Sequence, residues 1–61
     1  LLHMLATNIK AGDIVKYCGS WTDCGVVLKV NHAGGTIKVF RHGTNDVKWW
    51  VTSGCEVVSH G

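Results

Sequence analysis

Gly25-Val26-Val27-Leu28-Lys29-Val30-Asn31-His32-Ala33-Gly34-Gly35-Thr36-Ile37-Lys38-Val39-Phe40 is two β-branched runs facing each other across a glycine-containing connection. Val, Ile, Thr and Phe pack well on a pleated surface, and Gly34-Gly35 supplies the positive φ that a tight reversal needs. The stretch is predicted to be a β-hairpin.

Working outward, Gly12-Asp13 opens a strand over Asp13 to Tyr17, with Val15 and Tyr17 on one face and Ile14 and Lys16 on the other. Cys18 to Cys24 reads as a seven-residue loop of turn formers around Trp21. That tryptophan either folds back over an open barrel end as a lid or meets a partner. The second strand, Gly25 to Asn31, is nearly apolar on both faces and is expected to bend and serve two sheets. Thr36 to His42 alternates Ile37, Val39 and Arg41 against Lys38, Phe40 and His42. After a turn at Gly43-Thr44-Asn45, Asp46 to Val51 places Val47, Trp49 and Val51 on one face and Lys48 and Trp50 on the other. A 3₁₀ connection at Thr52-Ser53-Gly54 leads to a last strand, Cys55 to Ser59. Short, evenly spaced strands without helical periodicity predict an all-β, five-stranded barrel or sandwich. The expected core is Val15, Val30, Ile37, Val39, Val47, Cys55 and Val57.

Composition narrows the function classes. A chain of 61 residues makes one domain at most, and so small a core is thin, which favours self-association. Leu1-Leu2-His3 reads as a cloning scar before Met4, so residues 1–8 are taken as a tail and 9–61 as the domain. The net charge of +2 is too small to imply nucleic acid by itself. No stretch reaches the roughly 20 apolar residues of a membrane-spanning helix, so no membrane partner is expected and a cytoplasmic location is. Three cysteines at irregular spacing argue against a disulfide framework, with a Cys18–Cys24 pair left open.

The order Gly12-Asp13-Ile14-Val15, polar loop, Gly25-x-Val27, Gly34-Gly35 hairpin, Trp49-Trp50, one-turn connection and Cys55-Glu56-Val57-Val58 resembles the SH3-like small barrels. It is similar to short uncharacterised bacteriophage proteins, especially marine ones, over residues 9 to 59. This resemblance implies a host-cell cytoplasm or virion location. A second likeness is to the plasmid-borne type II dihydrofolate reductases, SH3-like chains whose four subunits line one pore and whose chemistry rests on a Val-Gln-Ile-Tyr stretch. The matching residues here are Val47-Lys48-Trp49-Trp50, changed in size and charge.

The candidate binding surface is an aromatic and basic face of Trp21, Lys38, Phe40, Lys48 and Trp50, with Arg41 nearby. The same aromatics could equally be buried between copies or under loops. SH3-like folds commonly bind extended peptides through such surfaces, and single strands stack on similar platforms. The cysteines and His60 lack the spacing of a zinc site, and His32, His42 and His60 read as solvated histidines rather than catalytic bases. No catalytic residue, metal or cofactor is expected. The reading is a non-enzymatic binding or assembly module that forms a homo-oligomer or meets a protein partner. The alternatives are a single-stranded nucleic-acid-binding barrel and a reductase-like tetramer. A barrel this small has room inside for Trp49 or Trp50, and the other is left for an interface.

Overall fold

The computed structural model describes residues 9–61, and the tail expected over residues 1–8 lies outside the described residues. Five strands follow in order: β1 (Ile14–Tyr17), β2 (Ser20–Asn31), β3 (Thr36–Arg41), β4 (Val47–Val51) and β5 (Cys55–Ser59). A 3₁₀ turn, Thr52–Gly54, joins β4 to β5. All neighbours are antiparallel in one sheet of order β4-β3-β2-β1-β5. The fold is therefore all-β. Among the described residues no ladder joins β4 to β5, so the sheet is not closed.

The first connection is tighter than its composition suggests. Tyr17 pairs with Ser20, and Cys18 and Gly19 between them have φ of 51° and 72°. Two consecutive positive φ values are the mark of a type I′ hairpin turn, a conformation glycine takes freely and cysteine seldom does. The expected seven-residue loop is thus a two-residue turn, with β2 beginning at Ser20. Part of the loop survives as an irregularity, because Lys16 pairs with Cys24 while Tyr17 pairs with Ser20. Trp21, Thr22 and Asp23 have no partner of their own on β1.

A second irregularity resets which side chains of β2 face inward. Val27 pairs with Val39 and Lys29 with Lys38, so Leu28 is an extra residue on β2. Such a bulge bends the strand and breaks strict alternation. Val27 and Val30, which alternation assigns to opposite faces, both turn toward the core: Val27 is fully buried and Val30 packs against the buried cluster. Before the bulge, β2 and β3 approach so closely at Gly25 that a Cβ there would collide with Phe40 O and lie 2.7 Å from Val39 Cγ1.

The core consists of Ile9, Val15, Val27, Ile37, Val39, Trp50 and Cys55, with Tyr17, Val30 and Val57 packed against it. Val47 was expected inside and is instead 46% exposed, whereas Trp50 is 7% exposed. The alternation of β4 was read correctly, but its two faces were exchanged. The cause is visible at Trp50, whose ring stacks on Tyr17 with centroids 4.9 Å apart and planes 15° from parallel. An offset aromatic pair adds to the burial of two large rings, so the strand settles with Trp50 inward.

Trp50→Ala is expected to destabilise the fold by about 3–5 kcal/mol, and Trp49→Ala by no more than about 1 kcal/mol. Chemical denaturation of the two variants beside the parent checks the assignment; equal losses would contradict it.

Candidate functional site

Directly opposed residues of an antiparallel sheet share a face. In the β3–β4 ladder Thr36 opposes Val51, Lys38 opposes Trp49 and Phe40 opposes Val47. On the other side of β3, Val26 opposes Phe40 and Lys29 opposes Lys38. One outer face therefore carries Phe40, Val47, Trp49 and Val51, with exposures of 40, 46, 52 and 50%, beside Lys38 and Lys29. An aromatic and basic face exists, but its membership differs from the sequence expectation.

Lys38 and Phe40 stand where they were expected. Trp50 does not: it is in the core, and Trp49 takes its place on the surface. Lys48 opposes the buried Val39 and so projects from the other face of β4, although it is itself exposed. Trp21 is 65% exposed and covers no barrel end, which removes the lid reading. Lys16 Nζ lies 3.9 Å from its ring centroid and also pairs with Glu56 at 3.8 Å. Trp21 lies on β2 itself, but it comes before the β2–β3 ladder begins at Gly25, five residues ahead of Val26, the partner of Phe40, and so is not joined to the β3–β4 patch. Val47, Trp49 and Val51 were missed as surface residues. Their common face was legible in the sequence, and its direction was not.

Arg41 has a different task from the one suggested by its charge. Its Nε and Nη2 donate to the two carboxylate oxygens of Asp46 at 2.8 and 2.9 Å, and Nη1 donates to Asp23 Oδ1 at 3.3 Å. Thr44 Oγ1 donates to Asp46 Oδ1 at 2.7 Å, and Arg41 N donates to Asp46 O at 2.7 Å. The bidentate fork closes the β3–β4 turn and leaves Arg41 committed. The hydrogen bond from Arg41, then that from Thr44, holds the Asp46 carboxyl well below the usual carboxylate range.

At the other end of the sheet, Asp13 is buried where β1 begins. Its Oδ2 accepts from Lys10 N at 2.9 Å and lies 3.3 Å from His60 Nδ1. His60 thus has a structural neighbour rather than standing alone in a tail. Cys18 is exposed, Cys24 half-buried and Cys55 buried, and none is in a disulfide. Burial pushes the Cys55 thiol up to about 11, and its Sγ donates to Val51 O at 3.4 Å. Among the described residues no three His, Cys, Asp or Glu side chains gather as a metal-binding group, and no helix is long and apolar enough to cross a membrane.

Comparison of the chain with family models, with curated proteins and with solved structures returns no match.

Two outcomes follow from the charges and thiols. The folded Asp46 value lies below the unfolded one, so its clamp contributes stability above about pH 4, and that contribution declines as pH falls toward the folded value. In an acid series of melting temperatures, Asp46→Asn is expected to lose less than the parent below pH 4; parallel curves would remove Asp46 as the cause. At pH 8 a thiol reagent is expected to label Cys18 first and Cys55 last, and all three at one rate in denaturant. Fast native labelling of Cys55 would contradict its burial.

Proposed function

We propose that this chain is an SH3-like barrel with no enzymatic role, a small assembly module of the kind found among bacteriophage proteins, which self-associates through the outer face of β3 and β4. The barrel reading is supported by the strand order, by a twelve-residue β2 with a bulge at Leu28 and a close approach of β3 at Gly25, and by the 3₁₀ turn leading into a short last strand. The observation that carries the functional reading is the row of Phe40, Val47, Trp49 and Val51 open on one face of so small a molecule. Monomers rarely leave a contiguous apolar patch uncovered, and a closed assembly places the same patch against itself. A cytoplasmic or virion location belongs to the same reading.

A second reading has its own observation. Lys29, Lys38 and Trp49 stand in one row across β2, β3 and β4, and two lysines directly opposed repel each other. A phosphate would relieve that repulsion while a base stacks on Trp49, as in single-stranded nucleic-acid binding. Retention on single-stranded DNA that falls steeply with salt is its test. The reductase reading has less behind it, since Trp50, at the position of that family's Tyr, is covered by Tyr17.

Sedimentation over a concentration series is expected to give a mass that rises above the monomer in the parent protein and stays at the monomer in Trp49→Glu. A parent that remains monomeric at high micromolar concentration overturns self-association.

A further inference from the structure

The hydrogen-bond parity of β4 says which of its backbone groups are open. Arg41 N donates to Asp46 O at 2.7 Å at one end of the β3–β4 ladder, and Thr52 N donates to Gly35 O at 2.8 Å at the other. Hydrogen-bonded and non-hydrogen-bonded pairs alternate along an antiparallel ladder. Ile37/Trp50 and Val39/Lys48 are therefore the bonded pairs between those ends, and Phe40/Val47, Lys38/Trp49 and Thr36/Val51 are the others. It follows that Val47, Trp49 and Val51 direct their N–H and C=O groups away from β3, toward the sheet edge. Among the described residues no strand pairs along that edge, and the Cys55 thiol, a weak donor, reaches Val51 O at 3.4 Å.

The same three residues carry the exposed apolar side chains of the strand. A strand with open edge groups and apolar side chains at the same positions is a template for another strand. We propose that its occupant is β4 of a second copy, paired antiparallel about a two-fold axis at Trp49, so that two sheets join edge to edge. This inference rests on the self-association proposed above and specifies its geometry.

In that register Trp49 of one copy opposes Trp49 of the other, and Val47 opposes Val51. All three open residues of each strand then find partners at once, in up to about six backbone hydrogen bonds. Charge disfavours one of the two neighbouring registers. A slip of two residues toward the start of the strand sets Lys48 directly against Lys48 of the other copy, and like charges so placed are destabilising. In the Trp49-centred register each Lys48 faces Trp50 of the other copy instead. Asp46, the nearest acid, is held by Arg41 and does not oppose the approach. The joined outer face brings together Phe40, Val47, Trp49 and Val51 of both copies.

Size sets the strength. A standard interface takes about 800 Å² from each partner, whereas this chain exposes 3878 Å² in all and a single five-residue strand forms the seam. The dimer is accordingly a weak, concentration-dependent one.

Val51→Pro tests the seam. Val51 has φ −71°, already within the range of proline, and its N–H faces the edge rather than β3. The substitution leaves the β3 ladder intact, removes one edge donor from each copy and puts a ring in the path of the incoming strand. Its dimerisation is expected to weaken by about tenfold or more, with the monomer still folded by circular dichroism. As a second measurement, amide exchange at residues 47, 49 and 51 of the parent is expected to slow as concentration rises. If Val51→Pro dimerises like the parent and those amides stay fast while Trp49→Glu is monomeric, the copies pack face to face; the seam is then overturned and self-association stands. A parent that is monomeric at every concentration overturns both and leaves the edge to an extended segment of another protein. An assembly larger than two overturns the two-fold register.

Discussion

The stack of Tyr17 on Trp50 is the constraint from which most of the molecule follows. Tyr17 ends β1 and Trp50 lies in β4, three steps apart in the sheet. At about 4.8 Å per step a flat sheet would hold them roughly 14 Å apart, yet their centroids are 4.9 Å apart. The sheet must curl, and its sequence supplies the means where β2 crosses the bend. Gly25 lets β3 approach without a Cβ in the way, and the extra residue Leu28 adds a bulge. Gly54 completes the arrangement, because a Cβ there would lie 2.8 Å from Tyr17 Cε1.

Burying Trp50 decides the outer surface as well. Side chains of a strand alternate, so turning Trp50 inward sends Val47, Trp49 and Val51 outward together. A chain of this size has no second layer to cover them, since it buries only about 60% of the surface its unfolded form exposes. The exposed apolar face is therefore the other side of a favourable core contact. The Arg41–Asp46 fork acts on the same strand from its beginning. By closing the β3–β4 turn it fixes the register that places Phe40 beside Val47 and Lys38 beside Trp49.

Much of this was legible in the sequence, for reasons that can be named. β-Branched runs and their turns marked all five strands, and alternation grouped the side chains of β3 and β4 correctly. Alternation has a period but no sign. Only the Tyr17–Trp50 contact, between residues 33 positions apart, tells which face of β4 is inside. The bulge at Leu28 escaped notice because nothing in Val-Val-Leu-Lys-Val distinguishes an extra residue from the next step of a strand. The turn at Cys18-Gly19 was hidden by a cysteine in a conformation that asparagine or glycine would have announced. Lys48 and Trp50 were placed with Lys38 and Phe40 because alternation groups each pair on one face and neighbouring strands can bring two faces together, whereas pairing with Val39 puts Lys48 on the opposite face.

The two edges of the sheet are treated differently, and the contrast bears on what the molecule does. On β5, Cys18 N donates to Gly54 O at 2.7 Å, so parity leaves Cys55 and Val57 with their backbone toward the edge. Those are the residues whose side chains turn into the core, and the outward neighbour Glu56 is charged and paired with Lys16. A strand approaching β5 would meet the charged Glu56 beside Val58, which is 41% exposed, and charge on an edge is a common way for proteins to keep it from pairing. On β4 every outward side chain is apolar, no proline interrupts the strand, and its one lysine projects from the opposite face. β5 thus carries its charge on the outward face, whereas the one charge of β4, Lys48, lies on its core-side face and leaves the outward face apolar. The two edges therefore differ in which face bears the charge, and the outer face of β4 is the one left wholly apolar.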